Sequence, residues 1–301
     1  MSMRHLAPIL VAAIAVGLAS CAGPGAGSRT ASSASSTPSR PAASFDAVPP
    51  LRGLDEPSGT CPDVRAVGLT PMTSAGYERE VLVLTPPDPK PGLPVLFVWH
   101  GLGATAKSMV PRLGLRELAA SGAVVVVPQA HPEADIGWGW TRQREDLTLF
   151  DDLRACLSKD LDVDLDRVVT SGFSAGGLWS TYLLFHRAEA LASAVIMSGG
   201  LLPPILAYST PTWPIPVLLF DGGARDTYRA GPTVIHFDRN TVKLRERLRG
   251  DGVLAVHCPH GRGHVVPTGR FDLVHRWTLA HRYGEPSPWA SKDAPTGCEA
   301  Q

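Results

Sequence analysis

The run from Arg167 to Gly177, RVVTSGFSAGG, constrains this chain more than any other stretch. It reads as a short β-branched strand, then G-x-S-x-G from Gly172 to Gly176, then the small-residue start of a helix reaching His186. That order is what a nucleophile elbow requires. The serine sits on a tight strand-to-helix turn, and glycines two residues either side let neighbouring backbone pass where a β-carbon would collide. On such a turn the Ser174 hydroxyl stands above the sheet, and the Ala175 amide points where an oxyanion develops.

Short apolar runs alternating with helical patterns supply the sheet that an elbow needs. Val64–Thr70 and Tyr77–Thr85 read as an opening strand pair. Pro94–Trp99 and Ala123–Pro128 are apolar throughout, as strands covered on both faces are. Val168–Thr170, Ala194–Met197, Val217–Phe220 and Leu254–His257 continue the series. Helices are expected over Lys107–Ser121, Glu145–Leu161, Asn240–Arg249 and Phe271–Tyr283; in the second, Leu147, Phe150, Leu153, Leu157 and Leu161 recur at helical spacing. The predicted class is α/β: a mostly parallel, doubly wound sheet of about eight strands, with ligands at the carboxyl ends of the strands.

A serine hydroxyl is a poor nucleophile alone, so the elbow demands an imidazole within reach and a carboxylate to orient it. Downstream histidines are His257, His260, His264, His275 and His281. His264 closes the Gly-rich loop CPHGRGH directly after the last strand and is the preferred base, with His260 its competitor. The acid should follow the strand ending at Phe220, where both Asp221 and Asp226 stand. Asp226 is preferred, because Gly222 and Gly223 can turn the chain back toward the imidazole, whereas Asp221 suits a turn cap. A second oxyanion amide is expected from His100-Gly101-Leu102-Gly103, with Leu102 as donor beside Ala175. His100, Trp138, Trp140, Trp179 and Tyr228 are candidates to line a substrate cleft.

The chain starts with Arg4-His5 and then 14 largely apolar residues, Leu6 to Ala19, too few to span a bilayer comfortably. Leu18-Ala19-Ser20-Cys21 follows and resembles a bacterial lipobox, so residues 1–20 read as a signal peptide and Cys21 as a lipidated residue. Residues 21–50 are rich in Ala, Ser, Gly and Pro and read as a disordered tether; 51–301 is the folded domain. The protein is therefore expected outside the cytoplasm, held to a membrane of the cell envelope by its lipid. Formal net charge is zero and the basic residues are scattered, which argues against a nucleic-acid partner. The other cysteines, Cys61, Cys156, Cys258 and Cys298, have no metal-ligand spacing. Cys61–Cys298 is the expected bridge, tying the ends of the domain, with Cys156 a buried free thiol in a helix.

Gly172-Phe173-Ser174-Ala175-Gly176-Gly177, His100-Gly101, the Gly-x-x-Asp loop ending at Asp226 and Gly261-Arg262-Gly263-His264 together resemble the polyhydroxybutyrate depolymerase / feruloyl and acetylxylan esterase group of α/β-hydrolases, including its bacterial lipoprotein members. The resemblance covers about Tyr77 to Tyr283. It implies an α/β-hydrolase fold and a serine esterase acting on small or oligomeric esters, without metal or cofactor. Two departures stand out: a histidine commonly precedes the glycine of the acid loop where this chain has Gly222, and no separate polymer-binding domain is visible. A peptidase or amidase on the same triad, or a catalytically silent ligand-binding lipoprotein, are the alternatives.

Overall fold

Strands that are apolar on both faces need cover on both faces, and the chain supplies it with two sets of helices. A computed structural model describes residues 47–132, 137–138, 143–290 and 294–300. The expected signal segment, Cys21 and most of the tether lie outside the described residues. No described helix is long and apolar enough to cross a membrane.

In chain order the strands are β1 (Leu69–Ser74), β2 (Tyr77–Leu84), β3 (Val95–Trp99), β4 (Val124–Pro128), β5 (Val168–Phe173), β6 (Ser193–Met197), β7 (Val217–Asp221), β8 (Thr227–Ala230), β9 (Thr233–His236), β10 (Ala255–Pro259) and β11 (Glu299–Ala300). The helices are α1 (Ala106–Arg112), α2 (Leu115–Ala120), α3 (Gln143–Leu161), α4 (Ala175–His186), α5 (Phe237–Gly250) and α6 (Phe271–Ala280). Nine strands form one sheet in the order β1-β2-β4-β3-β5-β6-β7-β10-β11. Its centre is parallel, and antiparallel pairs close both edges. Alternation along β3 shows how the layers divide. Val95, Phe97 and Trp99 face a core shared with α3, α4 and α5, whereas Leu96 and Val98 face α1, α2 and α6.

Two expectations of local structure need correction. The first strand starts after Gly68 rather than at Val64, and it turns into β2 through Ala75-Gly76, both at positive φ. That pair suits a two-residue hairpin whose twist matches its strands. The helix expected over Lys107–Ser121 is two helices, broken where Gly114 adopts φ 57°. The hairpin β8–β9 is not apparent in the sequence pattern; it is a small separate sheet between β7 and α5.

The cysteines pair differently from the expectation: Cys61 with Cys156, and Cys258 with Cys298. Ser58 donates through both its amide and its hydroxyl to Asp152 on α3, which lays the incoming chain along that helix and brings Cys61 to Cys156. At the other end β11 runs antiparallel to β10, with His257 opposite Glu299, so the register brings Cys298 to Cys258. Each bridge thus fastens one terminal segment to the nearest regular element, and neither joins the two ends. Cys156 is not a free thiol.

Non-reducing peptide mapping is expected to recover these two linked pairs; a peptide joining Cys61 to Cys298 would contradict this path of the chain. The first bridge spans a sequence separation of 95 residues. Replacing Cys61 and Cys156 together by serine is expected to cost about 2–5 kcal/mol of stability, read from the denaturant midpoint.

Candidate active site

Ser174 lies between β5 and α4 with φ 57° and ψ −118°, a backbone conformation that costs a non-glycine residue about 1–3 kcal/mol. Close packing imposes it. A Cβ on Gly172 would land on the Gly176 carbonyl, and a Cβ on Gly176 would land on the Trp99 carbonyl at the end of β3. The turn is further held by the Ser174 amide, which donates to the Met197 carbonyl at 3.0 Å. The serine is consequently carried clear of the sheet at its carboxyl end.

Two loops meet it there. The Ser174 hydroxyl donates to His264 Nε2 at 2.9 Å, and His264 Nδ1–H donates to Asp226 Oδ1 at 2.7 Å. A carboxylate only accepts, so the ring proton sits on Nδ1 and the Nε2 lone pair faces the serine. Asp226 is fully buried, and its second oxygen accepts from the Ser198 hydroxyl and the Gly222 amide, each at 2.8 Å. The imidazole packs against Phe237, nearly parallel at 4.6 Å between ring centres, and against Phe173 at 4.9 Å. These rings leave it one orientation. Ser198 and Phe237 are absent from the sequence reading; a strand-end serine before Gly199-Gly200 is a faint signal for the first, and the second has none.

The departure at Gly222 has a steric cause. A Cβ there would fall on the Gly263 backbone, the residue before His264. The Gly263 amide donates to the Gly222 carbonyl at 2.9 Å, so acid loop and histidine loop are fastened backbone to backbone. Nothing larger than glycine fits between them.

Asp221 is a second buried carboxylate with a different duty. It accepts from the Gly223 amide at 2.7 Å, the turn cap expected of it, and also from His257 Nε2. Arg245, a donor only, reaches His257 Nδ1 at 3.1 Å, which fixes the His257 proton on Nε2. Burial pushes the Asp221 carboxyl up, but the bonds from His257 and the Gly223 amide outweigh it and hold the group below its ordinary value. His260, the competing base, faces Arg262 through its own loop backbone and makes no bond to Ser174. Burial, with Arg262 beside it, lowers its pKa.

The residues expected to supply the oxyanion amides lie close together. Leu102 and Ala175 both lie against Gly137, and Gly101 packs on the Ser174 β-carbon. The Leu102 amide donates to no described residue, and Ala175 opens α4, where leading amides lack helical partners. Behind them His100 is a buried bracket rather than a cleft residue. The Ala130 amide and Gln129 side chain donate to its Nε2, each at 3.1 Å, so its Nδ1–H donates to the Gly101 carbonyl at 2.9 Å. Burial lowers its pKa against that bond and keeps it neutral.

Trp138 and Trp179 also leave the expected cleft list, since both rings are fully buried. Trp138 donates its indole N–H to the His100 carbonyl at 2.7 Å and so pins the loop from the other side. Trp179 packs between Trp99 and Tyr182. Trp140 lies outside the described residues. Tyr228, on β8, is 39% exposed and its ring centre is 6.1 Å from that of His264.

No family model matches the chain. Feruloyl esterase D of Neurospora crassa is 30% identical over 119 residues, covering 35% of this chain and 39% of that protein. Feruloyl esterase C of Emericella nidulans is 28% identical over 198 residues, covering 60% of this chain and 69% of that protein. The chain spans less than two thirds of the length of several relatives it matches. Among solved structures, native sOPH superposes with a TM-score of 0.66 at 21% identity, covering 82% of this chain and 97% of that one. The strand order and this superposition give the chain the α/β-hydrolase fold.

Trp138→Phe keeps the ring but strips the buried His100 carbonyl of its indole donor, a loss expected to cost about 1–3 kcal/mol. Trp179→Phe loses no such bond, because that indole nitrogen has no partner among the described residues. Denaturant unfolding should rank Trp138→Phe well below Trp179→Phe; equal midpoints would mean the indole bond does not hold the loop.

Proposed function

We propose that this chain is a serine esterase that cleaves carboxylic esters through an acyl-enzyme. The observation that carries the reading is the unbroken hydrogen-bonded line from Ser174 through His264 to Asp226, with proton positions set by Asp226 being an acceptor only. In the proposed reaction Ser174 Oγ attacks the ester carbonyl and its proton passes to His264 Nε2. The amides of Leu102 and Ala175 hold the resulting oxyanion. His264 then gives the proton to the leaving alcohol. Water, deprotonated by the same imidazole, releases the acid from Ser174.

Asp226 orients the imidazole and faces the imidazolium charge through Oδ1, while Ser198 and Gly222 hold its other oxygen. None of these steps calls for a metal or a cofactor. The feruloyl esterases among the relatives favour aryl acyl esters as first substrates, and the Tyr228 ring beside His264 suits an aromatic or other apolar group. We further propose that Cys21 carries lipid and holds the enzyme to the cell envelope. Labelling with a clickable fatty acid is expected to mark the wild type and not Cys21→Ser.

Ser174→Ala is expected to remove ester turnover by several orders of magnitude in a protein that still folds. Asp226→Asn tests the finer geometry. Its amide must either set an NH₂ against the Gly222 N–H, which cannot become an acceptor, or donate to His264 Nδ1 and force the proton onto Nε2. In the second arrangement the imidazole can no longer accept from Ser174, so turnover should fall about 10⁴-fold, as in other serine triads. Asp221→Asn sets an NH₂ against a donor as well, but at the His257 bond, and should lower stability more than the chemical step. Turnover on one small ester and the denaturant midpoint, measured for both variants, separate the two roles. Crippled chemistry in Asp221→Asn with near-normal Asp226→Asn would reverse the assignment of the acid.

A further inference from the structure

Several arginines elsewhere in the fold are paired with carboxylates, Arg79 with Asp146, Arg187 with Asp151, Arg245 with Glu299 and Arg282 with Asp164 and Asp166, while others, such as Arg154 and Arg167, bond main-chain carbonyls. The two loops that carry Asp226 and His264 concentrate arginines with almost no acid among them. Residues 222–236 and 259–270 contain Arg225, Arg229, Arg262 and Arg270, and their one carboxylate is Asp226, which is fully buried. Arg225 bonds the Gly261 carbonyl at 3.2 Å, and its own carbonyl and Cβ pack against Gly263, next to His264. Arg262 reaches only the Thr268 hydroxyl and the Val266 carbonyl. Arg270 reaches the Thr296 carbonyl. Each of these three guanidinium groups thus meets neutral acceptors alone among the described residues, and Arg225 and Arg262 are exposed. The formal charge of the whole chain is zero, so this is a local excess and not a share of a basic protein.

The same rim exposes apolar surface: Leu102 is 43% exposed, Tyr228 39% and Val265 44%. Apolar surface and unneutralised guanidinium side by side suit a ligand with both an apolar body and a negative group. Resting on the esterase reading, we propose that the preferred substrates are esters that carry an anionic group, such as a carboxylate, near the scissile bond, and that Arg225 and Arg262 select them. Both side chains keep neutral acceptors in the free protein. An arriving carboxylate therefore has no internal anion to displace. Because the groups are exposed, the selection should act mainly on substrate capture and be screened by salt.

Two matched pairs of esters test this. In para-acetoxybenzoate the charge is on the leaving group, and para-acetoxybenzamide is its neutral isostere. In monoethyl terephthalate the charge is on the acyl group, and ethyl para-carbamoylbenzoate is the neutral form. With each rate corrected for alkaline hydrolysis, wild type is expected to favour the anion in at least one pair by about tenfold in kcat/KM at low ionic strength. That preference should shrink toward unity at about 0.5 M salt. Arg225→Gln/Arg262→Gln keeps neutral donors for the loop acceptors. It is expected to lose most of the preference while its rate on the neutral esters stays near wild type, and Arg225→Lys/Arg262→Lys should retain the preference.

Equal wild-type rates within both pairs overturn this inference and leave the esterase reading intact. A preference that survives the double glutamine variant overturns the assignment to these arginines. Binding to anionic lipid vesicles with no discrimination between the soluble esters would instead make the rim a membrane contact. If none of the four esters is cleaved and an organophosphonate fails to label Ser174, both readings fall together.

Discussion

The site depends on one buried charge. Asp226 has no exposure, and a carboxylate in that position is tolerable only if its lone pairs are met. Three donors meet them: the imidazole of His264, the hydroxyl of Ser198 and the amide of Gly222. Each comes from a different strand end, after β10, β6 and β7 respectively. Satisfying one carboxylate therefore draws three loops together, and the ring that faces Ser174 is oriented as a by-product. The Gly222 donor is available because the chain there lies flat against Gly263. A side chain at 222 would part the two loops and leave Asp226 short of a partner. At the place where the esterase group it resembles commonly has a histidine, this chain has closed the gap with backbone.

Asp221 and His257 form a second aspartate–histidine pair one strand-end away, and the contrast explains why only the first pair reaches a serine hydroxyl. In the first pair the far imidazole nitrogen looks outward to Ser174; in the second it meets Arg245, itself bound to Glu299. The second pair is closed on itself. It ties β7 to β10 and, through Glu299 and the Cys258–Cys298 bridge, to the last described strand. The strand-end carboxylate thus braces the loop on which the next one works, since its other oxygen caps the Gly223 turn that leads to Asp226.

What could be read from the sequence follows a physical divide. The elbow, the apolar strands and the histidine loop were legible because local rules fix them: glycine where backbones touch, continuous apolar runs where both faces are covered, a Gly-rich loop after the last strand. Asp226 was legible for a related reason, that two glycines can reverse a chain. The cysteine pairing was not, because it depends on where the segment before β1 lies on α3, and on β11, a strand of two residues with no pattern of its own. The tryptophans misled for the opposite reason. Trp138 sits in a Gly-rich loop, where a large ring suggests a cleft, yet its N–H meets the His100 carbonyl and its ring is packed against Trp99. Loop position does not decide burial; the hydrogen-bonding need of a neighbouring carbonyl did.

The loop after β3 shows the same economy as the Asp226 carboxylate. His100 is held by Gln129 and Ala130 at one nitrogen and holds Gly101 with the other, while Trp138 takes its carbonyl. All of these contacts lie behind the loop, away from Ser174. Leu102, Tyr228, Val265, Arg225 and Arg262, on the loops around Ser174 and His264, are exposed, and none of the bonds that join Ser174, His264 and Asp226 passes through their side chains. Geometry is therefore fixed from the inside, by backbone contact and buried polar bonds, and the rim is left free to vary in shape and charge. A fold arranged this way can change the groups on its rim without disturbing how Ser174 and His264 are held.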